Sequence, residues 1–318
     1  MKMMKYLLTA LIAFLTPFLF AQNVTRIYYL DTQVATSIPD SARFYLDLSV
    51  QGDTLYQYTE YDKAGVRRAE GFAIRITPML ERHDRYTTFY PNQQKHREGR
   101  YFRNQPMGIW RTYYPNGKLQ EMGVWSKNPR PYEAPLRYLL TTYADSTGQM
   151  LVTQGHGTVS LYDPQGRVQE VGSYHEGLKD SVWVGYQENG IKAYEETYVA
   201  GVLQEGRSFD AQGKTYPYTA LETPIGFDAE GVVNFIASSV RYPAAAQRAE
   251  SQGTVILNFL IDTQGVPQDI RVSSSPDPVL TKEAIRVIQL SKGKWKPATK
   301  RGKAVANRFT IPIPFKLI

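Results

Sequence analysis

Between Gly253 and Ser275 the apolar positions follow a short period. Val255, Leu257, Phe259 and Ile261 alternate with Thr254, Ile256, Asn258 and Leu260. A period of two with apolar residues on both sides predicts a strand largely buried on both faces. Asp262–Gly265 (DTQG) supply turn chemistry, with Gly265 free to take positive φ. Ile270 and Val272 resume the alternation, so the segment reads as a hairpin. Upstream, Val232, Val233, Phe235, Ile236 and Val240 fit one face of a helix. Tyr242-Pro243 ends it, because the residue before proline is pushed out of the helical region. Pro243 then suits the first turn of a short helix ending near Gly253. Downstream, Asp277 is an N-cap with Pro278 at the first helical position. Leu280, Ala284, Val287 and Ile288 form the stripe of that helix, which Lys292-Gly293 closes. AVANRFTIPIPFKL predicts a final strand. Helix, strand, strand, helix, strand is a small α+β domain.

The middle of the chain has a longer period. FYPNQQKHREGRY (89–101) and YYPNGKLQEMGVW (113–125) superpose, as do DPQGRVQEVGSY (163–174) and QENGIKAYEETY (187–198). Gly99 meets Gly123, Tyr101 meets Trp125, Gly166 meets Gly190, and Tyr174 meets Tyr198. Gly108 and Trp110 precede Gly117 as Ser181 and Trp183 precede Gly190. The period is about 24 residues, with a turn glycine flanked by aromatics, which describes stacked β-hairpins. One hairpin cannot bury its aromatic face alone, so neighbours must stack to make a core. The expected fold class is therefore a repetitive antiparallel β-hairpin array followed by a small α+β domain. The array spans residues 22–222 and the last domain residues 223–318. Residues 126–142 fall out of the period and predict a strand with an irregular loop. The aromatics of the array are expected in its core, since aromatics at strand spacing pack.

Charge and composition sharpen this division. Residues 224–318 hold 13 Lys and Arg against 7 Asp and Glu, whereas residues 22–223 hold 22 against 23. Lys292, Lys294, Lys296, Lys300, Arg301, Lys303, Arg308 and Lys316 have no acid between them. Such a run is expected to be a solvated face or a surface for an acidic partner segment rather than for nucleic acid. There are no cysteines, which excludes disulfides, thiol catalysis and cysteine metal sites. The start, MKMMKYLLTALIAFLTPFLFA, has Lys2 and Lys5 before an apolar run interrupted by Pro17. It reads as a signal peptide over residues 1–21, cleaved before Gln22. The run falls short of the ~20 residues a membrane span needs. The alternative is an uncleaved anchor in the inner membrane.

Two resemblances follow. The array resembles variants of the MORN repeat, a scaffold for interaction that names no ligand. The last domain resembles the TonB carboxy-terminal domain of energy transducers. The resemblance rests on Tyr242-Pro243, Gly253, Val255, FLIDTQG (259–265), Ser275 with Asp277 and Leu280, Glu283-Ala284, KWKPATKRGKAV (294–305) and FTIPIPF (309–315). It implies a periplasmic domain whose last strand is a sheet edge that accepts an extended segment, the TonB box, from an outer-membrane receptor. The contact positions it implies are Ser239, Val240, Arg241 and Tyr242 with Val305, Ala306, Asn307, Arg308, Phe309 and Thr310. Family transducers reach the periplasm through an uncleaved helix, which meets a proton-driven motor complex, and a Pro-rich spacer. Here the array replaces the spacer, so the motor is an expected partner only if the leader is uncleaved.

No enzyme chemistry is legible. His83, His96, His156 and His175 show no metal spacing. GVLQEGRS (201–208) approaches a phosphate-binding loop, but its glycines fall in the repeats. No cofactor, nucleic acid or small-molecule substrate is expected. The expected function is periplasmic binding of outer-membrane transport receptors; the alternatives are an inner-membrane transducer and an envelope interaction protein that binds cell wall or another partner. Mass spectrometry of the exported protein should show a mature chain beginning at Gln22. Recovery of an intact species carrying Met1 in inner-membrane fractions would select the anchored alternative.

Overall fold

The computed structural model describes residues 25–30, 35–36, 39–51, 54–77, 79–129 and 134–317. The leader and its cleavage position lie outside the described residues. Two compact units make up the chain. One runs to Arg137 and includes Ala144–Gln149; the other comprises Tyr138–Tyr143 and Met150–Ile318. In the first, strands Phe44–Gln51, Leu55–Asp62, Arg67–Arg75, Glu81–Phe89, Lys95–Phe102, Gln105–Tyr113 and Leu119–Lys127 pair antiparallel in chain order. In the second, strands from Met150–Thr153 to Thr215–Tyr218 do the same. The predicted hairpin array is thus present in both units.

The repeat has a packing rule. Six residues after the turn positions Gly65, Gln93, Gly117 and Gly166 stand Gly71, Gly99, Gly123 and Gly172. A Cβ on Gly99 would overlap the indole of Trp110, and one on Gly172 would overlap that of Trp183. Each ring therefore lies on bare backbone of the neighbouring strand. Both tryptophans are fully buried, and each meets a tyrosine edge-on at 5.1 Å, Tyr101 and Tyr174 respectively. These aromatics are core, as expected, whereas Phe102 and Tyr162 of the array are exposed. The turns repeat as well. The carboxylates of Asp62, Asp145, Asp163 and Asp210 each accept backbone N–H groups two and four residues on, and Asp262 does the same in the last domain.

At Gly190 the rule breaks. Six residues on stands Glu196, fully buried, opposite Trp183. Its carboxylate accepts hydrogen bonds from the hydroxyls of Tyr198 (3.0 Å) and Tyr218 (2.8 Å) and from Arg301 Nε (2.7 Å). Arg301 comes from the hairpin turn between strands Ala298–Lys300 and Lys303–Val305. Its guanidinium lies 3.6 Å from the Tyr194 ring centroid, and its carbonyl accepts from Ser208 Oγ at 2.7 Å. Gly302 (φ 75°) faces the carbonyls of Tyr216 and Pro217, where a Cβ would come within 2.9 Å. A basic turn of the last domain is thus seated on the final repeat.

The last domain carries its own core. Helix α1 (Val232–Ser239), helix α2 (Ala244–Arg248) and helix α3 (Pro278–Leu290) accompany a three-stranded sheet. Strand Gly253–Ile261 lies in its centre, between Pro267–Ser274 and Asn307–Phe315. Asp277 caps α3 through Val279 N–H at 2.6 Å, and Leu280, Ala284, Val287 and Ile288 are fully buried, as expected. Trp295 anchors this core and donates to Ser291 Oγ at 2.7 Å. Some expectations need correction. On the central strand, Val255, Leu257, Phe259 and Ile261 are fully buried, but on the other face Thr254 is exposed and Ile256, Asn258 and Leu260 are only half-buried. The buried face is the one packed with residues of the helices. Val233 is 73% exposed and leaves the helical stripe. Pro243 caps α2 instead of entering it, and α3 stops at Leu290 with Ser291 as cap.

Two predictions test these contacts. Gly172→Ala forces a methyl group into the Trp183 ring and should cost about 1–3 kcal/mol in thermal or urea denaturation. Arg301→Met leaves the Glu196 carboxylate buried with only two tyrosine partners, a loss of about 3 kcal/mol, the low end for breaking a buried pair. Burial alone would raise the Glu196 carboxyl; the hydrogen bonds from Arg301, Tyr218 and Tyr198 outweigh it and hold it below its ordinary 4.5. A depressed carboxyl contributes stability above the unfolded value and loses it as pH falls through the folded one. The stability gap between wild type and Glu196→Gln should therefore be full at neutral pH and shrink below about pH 4.5. A gap that does not change with pH would remove the ionised carboxylate as its source.

Candidate functional site

The strand Asn307–Phe315 pairs with Gly253–Ile261 on one side and ends the sheet on the other. Its two prolines, Pro312 and Pro314, lack an N–H and share one parity. Successive residues of a strand present their backbone groups to opposite sides. Prolines survive in a ladder where their position faces outward, so Arg308, Thr310, Pro312 and Pro314 form the outward set. A local contact agrees: Arg308 N–H donates to Asn307 Oδ1 at 2.8 Å. Thr310 keeps an outward N–H, and all four residues keep outward carbonyls. The edge is therefore rich in acceptors and poor in donors. Prolines and the Asn307 side chain are devices that blunt an edge against uncontrolled pairing.

The residues singled out in the sequence do not all lie together. Val305 belongs to the preceding strand, paired with Ala298, and Ala306 lies between the two strands. The predicted continuous strand from Val305 is thus broken, and the edge begins at Asn307. The Phe309 ring packs on Trp295 at 5.1 Å and on Phe259 at 6.0 Å, so only its backbone is near the edge. The Arg308 guanidinium is engaged by Asp269 at 2.7 Å on the far strand of the sheet. Asn258 Nδ2 donates to Thr310 Oγ1 at 2.7 Å.

The loop at 239–242 is tied to α3. Arg286 donates to the Ser239 carbonyl at 2.9 Å, and Arg241 N–H donates to Glu283 at 2.7 Å. Arg286 and Glu283 also pair with each other at 2.6 Å. The hydrogen bond from Arg286 outweighs burial and lowers the Glu283 carboxyl from its ordinary value. Val240 packs on the core, and Tyr242 donates to the Ser251 carbonyl while meeting Phe315 edge-on at 5.9 Å. Arg241 is exposed, whereas Ser239, Val240 and Tyr242 are half-buried. Tyr242 thus marks the Phe315 end of the last strand, whereas Asn307–Thr310 mark the other. Six residues of strand separate Phe309 from Phe315, roughly 20 Å. An extended segment spanning the edge would meet both ends.

The basic run divides: Lys292, Lys296, Lys300 and Lys316 are exposed, as a solvated face requires, while other members are engaged within the fold. Lys300, Arg301 and Lys303 face the chain's own groups. Lys300 lies 3.7 Å from Glu222, Arg301 pairs with Glu196, and Lys303 Nζ donates to the Phe209 carbonyl. Lys294 pairs with Asp228 at 2.9 Å. The acids missing between these residues in sequence arrive from elsewhere in the fold. Sequence reasoning missed Glu196, although its break in the glycine spacing was there to read. Among the described residues no group of three His, Asp or Glu side chains could hold a metal ion. No helix among them is long and apolar enough to cross a membrane.

No curated protein matches the chain. Residues 238–317 match the family model of the Gram-negative bacterial TonB protein C-terminal. The match begins in the last turn of α1 and ends just past the last strand, so it takes in the loop at 239–242, the central hairpin, α3 and the open edge. Residues 238–317 are therefore a TonB carboxy-terminal domain, preceded in this chain by a β-hairpin array.

Proposed function

We propose that this chain is an exported envelope protein that acts in the periplasm and binds outer-membrane TonB-dependent receptors through its last strand. The observation that carries the reading is the open edge at Asn307–Phe315, within a domain of the TonB C-terminal family. An extended receptor segment adds to that edge by β-augmentation, with main-chain hydrogen bonds for affinity and side chains for selectivity. Because the edge offers mostly carbonyls, the partner segment must present N–H groups without proline opposite residues 308–314. The domain reaches its partner as part of the unit that includes the later repeats, since Arg301 seats it there. Binding, not catalysis, is the role this geometry supports.

The test is calorimetric titration of the full chain with the amino-terminal peptide of a TonB-dependent receptor. Thr310→Pro removes one outward N–H. One main-chain hydrogen bond contributes about 0.5–1.5 kcal/mol, so affinity should fall roughly 2- to 13-fold. Thr310→Val keeps the N–H and loses only the hydroxyl, so its affinity should be unchanged. Asn307→Ala frees the Arg308 amide and should not weaken binding. Circular dichroism checks that each variant is folded. Equal affinity of folded Thr310→Pro and wild type would exclude this edge as the binding site.

A further inference from the structure

On the outer face of the first unit, three neighbouring strands enclose a hollow of about 500 Å³. Arg85 on Glu81–Phe89, Arg100 on Lys95–Phe102 and Arg111 on Gln105–Tyr113 line it, with the Glu98 carboxylate among them and Met107 and Ile109 as apolar wall. Arg85 and Arg100 are direct cross-strand partners. Like charges so placed are destabilising. Arg100 has Asp84 at 3.6 Å, with both groups well exposed. Arg85 forms no ion pair among the described residues and lies against the Phe72 ring at 5.4 Å; Arg111 stands opposite Glu98, whose carboxylate is already held by Lys95 at 2.7 Å and the Tyr113 hydroxyl at 2.6 Å. Met107 is 47% and Ile109 50% exposed, and Phe102, on the same face, is 53% exposed.

The fold does not require these arginines. In the second unit Trp183 stands where Trp110 does, and the cross-strand register repeats around it. Arg85 opposite Arg100 corresponds to Thr158 opposite Ser173, and these two join hydroxyls at 2.9 Å. Glu98 opposite Arg111 corresponds to Val171 opposite Val184. Arg100 opposite Met107 corresponds to Ser173 opposite Asp180. The same hairpins thus form with neutral residues at all three arginine positions. Three arginines against fewer acids, an excess of positive charge that folding does not need, beside exposed apolar side chains, call for an anionic partner with an apolar part.

We propose that this face binds the phosphodiester headgroup of an anionic phospholipid. Guanidinium groups match phosphate oxygens with paired N–H donors. Met107, Ile109 and Phe102 then meet the acyl boundary, as the apolar face of an interfacial element does. A peptide is the poorer occupant, because the backbone groups of these three strands are already paired with one another. No free edge is offered there, so recognition falls to side chains.

The experiment uses the full chain and vesicle co-sedimentation. Vesicles of phosphatidylglycerol are compared with vesicles of phosphatidylcholine, and inorganic phosphate and polyglutamate are titrated separately. The decisive variant carries Arg85→Thr, Arg100→Ser and Arg111→Val, residues that the second unit already uses in this fold. Its thermal transition should equal or exceed that of wild type. Its sedimentation with phosphatidylglycerol should fall at least tenfold, on the order of one lost charge-assisted contact or more. Met107→Asp, the residue the second unit has there, should weaken binding as well. Wild-type binding should be selective for phosphatidylglycerol and weaken with added salt. Equal binding to both vesicles, unchanged binding by the triple variant, saturation by inorganic phosphate with none by vesicles, or tighter binding of polyglutamate than of vesicles would each overturn the proposal.

Discussion

An aromatic ring lying flat on backbone that has no side chain is the constraint from which this array is built. Trp110 over Gly99 and Trp183 over Gly172 occupy the space a side chain on the neighbouring strand would fill at the core face. The indole needs the whole face of the glycine, so even one methyl group is excluded. That demand explains why glycine recurs six residues after the turn and why the aromatics recur with it. It also explains why so polar a chain, with 42% hydrophobic residues, can form long sheets. A few large rings per hairpin remove more apolar area from water than small side chains at the same positions would.

The exception to this constraint gives the chain its second level of order. Where Glu196 replaces the glycine, a carboxylate enters the core face and must be satisfied there. Tyr198, Tyr218 and Arg301 supply the donors. A buried charge without partners is strongly unfavourable, so the final repeat is complete only when the basic turn of the TonB domain is seated on it. The same turn engages Arg301 and Lys303 with groups of the final repeat. The last strand takes no part in this contact and keeps its outward carbonyls at the end of the sheet.

How much of this was legible in the sequence depends on range. The hairpin at Gly253–Ser274, the Asp277 cap and the stripe of α3 rest on neighbours within a few residues, and the pattern showed them. The hairpin period was legible for the same reason. Burial on the second face of the central strand was not, because Ile256 and Leu260 are apolar whether or not anything covers them. Ala306 broke the final strand without any local breaker such as glycine or proline. Glu196 and Arg301 are 105 residues apart, so no periodicity links them. The basic run looked unpaired because its carboxylates, Glu196, Glu222, Asp228 and Asp269, all come from segments upstream of it. At the edge itself, the two prolines did reveal the outward parity, since a missing N–H is a property of the residue alone.

The position of Glu196 bears on how much of the array the seat depends on. The socket lies in the last full hairpin, and Arg301 reaches no further into the repeats than Tyr194 and Ser208. Hairpins on the amino side of Gly172 touch neither. The donors and acceptors of the seat, Tyr194, Tyr198, Ser208, Tyr218 and Arg301, all follow Gly172 in the chain, so substitutions in the earlier hairpins leave every partner of the Glu196 carboxylate in place.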